Sequence, residues 1–472
     1  MNSYVVLLVA YSVLLVLLGL VIARRVKGAS DFFVAGRRLG PGLVFSTMLA
    51  ANIGAGSTVG ATGLGYRDGL AAWWWVGSAA VGSIVLACWV GPAIRRAAAR
   101  SDLRTVGDFL EHRYSRSVRG IIALLLWLGS LAILAGQLIA LAWILNVVAG
   151  VPKPAGCIIG GGVIILYFSA GGLLTSAWVN LVELAVKLVG FAIAVPLALH
   201  GAGGWTAISA LAPSPGYWNF WHGGGSGWMY LVMLGPAFVI SPGLLQKIYG
   251  ARDDRAVVLG VGANAVGLLL YAGVPVLLGM VARVRFPDLA SHEMALPMIL
   301  MHGLPPLVGA LGLAAVFSAE ISAADAVLFM LTTSLSQDLY KRFVNPAADD
   351  GRVLRVARAT TVAAGGLGIA LAVVSPTVID ALSVFYTLLT VALLVPIIAG
   401  LYVRRASTPE ALAAIAAGVA GMLALELATD GRGLGSLTPA MAGLAAAVLG
   451  FVVVTVGRLR SGRRWSPDEE RQ

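Results

Sequence analysis

Charge is scarce in this 472-residue chain: 12% of its residues are Asp, Glu, Lys or Arg, where a soluble domain carries roughly 25%. Half that share leaves too little polar surface to face water on all sides, which excludes a soluble enzyme and a disordered chain. Cysteine is nearly absent, with Cys88 and Cys157 each inside an apolar run, so a disulfide scaffold is excluded. Five scattered histidines and two cysteines also leave no metal cluster of ligand spacing. What is abundant is apolar: 59% hydrophobic residues and 59 glycines, with a mean hydropathy of +0.89. This is the composition of an integral membrane protein whose helices pack closely through small residues. The net charge of +11 reads as a topology determinant, and no nucleic-acid partner is expected.

Apolar runs of about 20 residues, enough to cross a bilayer, recur along the whole chain. Thirteen can be marked, beginning near 4–24, 42–65 and 70–94 and ending near 409–427 and 436–457. The first has no basic stretch before it and Arg24, Arg25 and Lys27 after it, so it reads as an uncleaved span. Of the 33 Lys and Arg, 27 fall in alternate loops on one side, five on the other, and Lys187 lies within a span. Basic loops stay cytoplasmic. The expectation is therefore a multi-pass protein of the cell inner or plasma membrane, N-terminus outside and C-terminus cytoplasmic. The stretch 201–226 reads as an outer capping loop, 284–303 as holding a short surface or re-entrant helix, and 458–472 as a short cytoplasmic tail.

Two spans break helix rules. The segment 50–69 (AANIGAGSTVGATGLGYRDG) has six glycines in twenty residues. Small residues there serve either tight packing or a helix unwound around Ile53 to Ser57, whose freed carbonyls would bind a cation or solute. The segment 235–243 (GPAFVISPG) carries Pro236 and Pro242, each removing an intrahelical hydrogen bond. Two interrupted helices five spans apart are the signature of a transporter built from two inverted repeats, with its site at their interface.

Acids at membrane depth are expensive, about 2.5–3.5 kcal/mol on insertion scales. Glu320 and Asp325 both lie in the run 304–338. Ser318, Ser322 and Asp325 share one helical face by spacing, with Glu320 pointing elsewhere. That oxygen-rich face suits a hard cation or proton movement; the plainer alternative is serines bonded to their own helix. Glu183 and Lys187 are spaced to pair along one helix, either as a structural ion pair or in a coupling role, and Asn180 shares their face. The Trp73–Trp75 run reads as an interfacial anchor, with gating as the alternative.

In order along the chain, SDFFVAGRRLG (30–40), the 50–66 segment, TVGDFLEHRYS (105–115), LLQKIYGARDDRA (244–256) and SAEISAADAV…LSQDLYKRF (318–343) resemble the sodium:solute symporter family. The resemblance implies an all-α membrane protein of about 13 transmembrane helices with a LeuT-like core of two inverted five-helix repeats, one leading helix and two trailing ones. It divides the chain into a leading helix and inner loop (1–40), a first repeat (41–200), the capping loop, a second repeat (227–403), trailing helices (404–457) and the tail.

The resemblance also implies a sodium site on carbonyls of Ala50, Ile53 and Ala319 and the hydroxyl of Ser322. Ala323 stands where the family usually has a further hydroxyl, so one ligand is missing. A second sodium site would involve Asn180, Ser322 and Asp325, with Ala326 at its remaining position. Solute would bind near Asn52, Gly54, Ala55, Gly56 and Ser57 on the first broken helix and Ser241 and Gln246 on the second, with Glu183, Lys187, Glu320 and Asp325 as coupling residues. Sugar-binding positions are not retained, so a small organic acid, amino acid or vitamin-like solute fits as well as a sugar. The expected function is sodium-coupled symport by alternating access with no catalytic residue. Proton-coupled or cation-independent transport on the same fold is the alternative, and a non-transporting solute sensor is the rival from another class.

Overall fold

The computed structural model describes residues 37–460, except 169–172, Ala212, Arg432 and Ser436, together with part of 4–17; the side chains of 173–182 and Asp350 lie outside the description. The side chains of Tyr167 and Phe168 also lie outside the description, and the leading run, most of the 30–40 motif and the tail after Arg460 fall largely outside the described residues.

Lipid offers no hydrogen bonds to a backbone, so apolar runs must close their own, and helices result. Each apolar run from residue 42 onward coincides with a helix or a broken pair of helices. Ten helices among the described residues are long and apolar enough to span a membrane, against the thirteen expected. The leading run lies largely outside the description, Lys153–Leu166 falls short of a span, and Gly56–Arg100 is continuously helical across parts of two expected spans. Within that stretch the chain nevertheless turns at Gly69, whose φ of +72° and approach to the Tyr217 carbonyl, 2.1 Å from where a Cβ would stand, only glycine tolerates. Asp68 helps fix the turn by accepting from Ser226 Oγ at 2.6 Å.

Both expected interruptions are present. The first broken helix is Pro41–Asn52, a non-helical link at Ile53–Ala55, a wide turn at Gly56–Gly60, then Ala61–Asp68. The second is Tyr230–Ile240 and Pro242–Tyr249, separated by Ser241 with φ −54° and ψ 123°. The 201–226 loop holds a short helix, Gly204–Ser209, and the start of a small hairpin that pairs His222–Gly223 with Ser226–Gly227. The 284–303 segment contains Ala295–His302, the short helix expected there.

The long helix Arg116–Ala149 packs chiefly against Val378–Tyr402, and Leu173–Gly201 packs chiefly against Pro306–Thr333. These four surround the first broken helix and hold the functional residues in place.

Candidate solute and ion site

The first break exposes backbone groups that must find partners in a buried setting. Ala55 N–H donates to Gln137 Oε1 at 2.9 Å, and Gly54 N–H donates to Ser57 Oγ at 3.1 Å. Ser57 Oγ lies 2.8 Å from Asn52 O, so one short side chain spans the gap in the helix. The carbonyls of Ala50 and Ile53 turn toward Pro306–Thr333 and Leu173–Gly201. There the ammonium of Lys187 donates to Ala50 O at 3.0 Å, Ile53 O at 3.3 Å and Ser322 Oγ at 2.6 Å. Ser322 Oγ also lies 3.2 Å from Ala319 O.

The four residues expected to ligate sodium are thus gathered at one point, and a lysine ammonium is bonded to three of them. At Ala323, where the hydroxyl is missing, the methyl group packs against the break: a Cβ built on Gly54 would stand 2.5 Å from the Ala323 Cβ. Lys187 and Glu183 are both fully buried. The expected pairing of the two along their helix is not the one observed. Neither Glu183 carboxyl oxygen has a hydrogen-bond partner among the described residues, because the lysine reaches across to three oxygens on other helices.

Glu320 accepts from Thr58 Oγ1 at 2.6 Å. The acid expected to point away from Ser322 therefore contacts the same broken helix about one turn further along. Ser318 Oγ, on the expected cation face, has no hydrogen-bond partner among the described residues. Asp325 is buried and acts electrostatically on Glu183. The side chain of Asn180 lies outside the described residues.

Beside the break is a cavity of about 80 Å³ whose lining includes Asn52, Gly54, Gly56, Ser57 and Ser241, all expected to face solute. Ala55 and Gln246, also expected there, do not line it. Ala55 donates its N–H to Gln137, and the turn at Pro242 carries Gln246 to a separate cavity of about 40 Å³ with Thr105 and Asp338. The lining of the cavity beside the break also includes Gln137, Lys247 and Tyr386, to which the sequence assigns no solute role, and Trp75, whose run carries gating as its alternative reading. Gln137 was detectable as a lone amide deep in an apolar run. Trp75 is buried and meets Tyr230 and Tyr386 edge-on, so this tryptophan faces the cavity instead of anchoring at the interface. Lys247 is buried, and among the described residues its hydrogen bond is to Gly243 O at 3.3 Å.

One end of the bundle is closed by charge. Arg119 pairs with Asp108 at 2.9 Å, Glu111 at 2.9 Å and Asp338 at 2.6 Å, and Arg342 pairs with Glu111. Burial alone would raise the Glu111 carboxyl, but Arg342 and Arg119 hold it below the ordinary glutamate range. Thr105 Oγ1 adds a hydrogen bond to Asp338 at 3.0 Å, so the motifs at 105–115 and 318–343 meet here.

A model of the sodium:solute symporter family matches residues 32–418. The chain belongs to that family. Among its relatives, the sodium/pantothenate symporter of Escherichia coli (strain K12) is 27% identical, over 90% of this chain and 89% of that one. The sodium/glucose cotransporter of Vibrio parahaemolyticus is 23% identical, over 75% and 72%. A substrate-bound, outward-open Na+-coupled sialic acid symporter shares the fold, with a TM-score of 0.79 at 16% identity, covering 96% of this chain and 97% of that one. This sodium:solute symporter family member is accordingly a multi-pass membrane transporter of a small-molecule solute, not an enzyme, in a class whose relatives couple transport to Na+.

Proposed function

We propose that this symporter carries a small organic solute with a negatively charged group, binding it in the cavity between the two broken helices, in the cell membrane with N-terminus outside and C-terminus cytoplasmic. The observation that carries the solute class is Lys247. An ammonium has three donors, and here one backbone carbonyl takes up a single one of them at 3.3 Å. A buried charge needs a partner, and a carboxylate in the cavity supplies it. The pantothenate symporter among the relatives is named for a solute of that kind.

Support for an inverted-repeat core comes from packing. Ala61–Asp68 lies on Gly273–Arg285 and Tyr230–Ile240 lies on Trp73–Val85, so each broken helix rests on the helix that follows the other. Transport then proceeds by opening the cavity alternately to each side, driven by whichever ligand binds one state better.

Sodium is the coupling ion this reading takes from the family. Cation-independent or proton-coupled transport on the same fold is a second reading, favoured by the Lys187 ammonium among the expected sodium oxygens. The test is uptake of radiolabelled pantothenate, proline and glucose into proteoliposomes under an imposed Na+ gradient, with Lys247→Met and Lys247→Arg alongside wild type. Carboxylate-bearing solutes should accumulate in wild type and the Arg variant, and lose at least tenfold in the Met variant, roughly 1.4 kcal/mol of solute binding. Uptake of a carboxylate solute that Lys247→Met leaves untouched refutes the solute class.

A further inference from the structure

The oxygens to which the family resemblance assigns an ion already hold a cation, and it belongs to the protein. We propose that Lys187 is the resident cation of this site: its ammonium takes the position of a bound sodium ion, tying the first broken helix to Pro306–Thr333 without drawing on an ion from solution. This rests on the reading that the chain moves solute by rearranging these helices.

Three observations converge. The first is a match of donors to acceptors. An ammonium carries three N–H donors and no acceptor, and Ala50 O, Ile53 O and Ser322 Oγ receive one each at 3.0, 3.3 and 2.6 Å. The second is electrostatic. Lys187 is fully buried, where an uncompensated charge is costly. Glu183 on its own helix and Glu320 on Pro306–Thr333 both act on it, and Asp325 acts on Glu183. The acids that would balance a bound sodium ion balance the ammonium instead. The third is the shape at position 323. A hard cation is held by oxygen, but the Ala323 methyl faces the break, with its Cβ 2.5 Å from where a Gly54 Cβ would stand. An added sodium ion on the same carbonyls would meet a missing ligand and a like charge at hydrogen-bond range.

The experiment is equilibrium binding of radiolabelled sodium to the purified full-length protein, comparing wild type, Ser322→Ala, Lys187→Ala and Lys187→Ala with Ser322→Ala. In wild type, Ser322→Ala should leave sodium binding unchanged, since no ion uses that hydroxyl. Lys187→Ala frees the oxygens and should gain saturable sodium binding that the added Ser322→Ala removes. Methylammonium, which carries the same head group, should raise the melting temperature of Lys187→Ala and leave that of wild type unmoved. Loss of sodium binding when Ser322→Ala is made in wild type overturns the proposal. So does a folded Lys187→Ala that gains no Ser322-dependent binding. Should Lys187→Ala fail to fold, the wild-type and Ser322→Ala pair still decides. None of these measurements requires solute, so failed uptake counts against the transport reading and a wrong sodium result against this one.

Discussion

The two breaks are built differently. The first is held from outside. Gln137 on Arg116–Ala149 takes its amide, Lys187 on Leu173–Gly201 takes two carbonyls, and Thr58 just beyond it binds Glu320 on Pro306–Thr333. The second is closed largely from within. Ser241 O accepts from the N–H groups of Leu244 and Leu245 at 3.0 and 2.9 Å, so the opening turn of the next helix caps the gap. Among the described residues, Thr390 Oγ1 reaches its first half from outside and donates to Met233 O at 2.7 Å. A glycine-rich break leaves bare backbone for other helices to claim, whereas a proline break removes donors and needs fewer partners. Specific chemistry therefore gathers at the first, and the second supplies shape.

That contrast can be broken most severely at Gly54. Gly54→Ala places a Cβ 2.5 Å from the Ala323 Cβ and 3.0 Å from Gln137 Oε1; overpacking of this kind costs about 3 kcal/mol. The expected outcome is a large fall in melting temperature, partly restored by adding Ala323→Gly. Next is Gln137→Leu, which strands the buried Ala55 N–H at a cost of about 2 kcal/mol. Gln137→Glu, which keeps an acceptor, should retain more stability in the same thermal assay.

A pH series sharpens the comparison at Val378–Tyr402, the helix that carries Thr390. Its first N–H, from Val378, donates to Glu293 Oε1 at 2.6 Å, and Trp143 donates to Glu293 Oε2 at 2.8 Å. Burial pushes the Glu293 carboxyl up to about 7 despite those two donors. A carboxyl raised on folding contributes stability that is fully present below its unfolded value of about 4.3 and lost as pH rises through about 7. Wild type should therefore lose on the order of 3 kcal/mol more than Glu293→Gln across that window, read as the difference in slope of melting temperature against pH. The smallest effect expected is Thr390→Val, about 1 kcal/mol from one lost hydrogen bond at the second break.

Much of this was legible because it depends on local chemistry. Glycine clustering marked the first break and the paired prolines the second, since both act on the backbone of their own segment. Ala50, Ile53, Ala319 and Ser322, which the motifs group together, do lie together in space, because motif order carries topology. Spacing alone pairs Lys187 with Glu183; helix periodicity reports neighbours on one helix and is blind to three oxygens on two others. The motif puts Gln246 at the solute cavity, yet the turn at Pro242 directs it elsewhere. Lys247, beside it, was missed for the same reason: which side of a kinked helix meets a cavity depends on the kink angle, which residue type does not encode.

The Arg119 cluster has a kinetic consequence. Three carboxylates grip one guanidinium, and a carrier that releases cargo at that end must undo this clasp once in every round. Each increment of strength in the clasp guards against leakage and lengthens the wait before release. Loosening the clasp would trade tightness of closure for speed of opening.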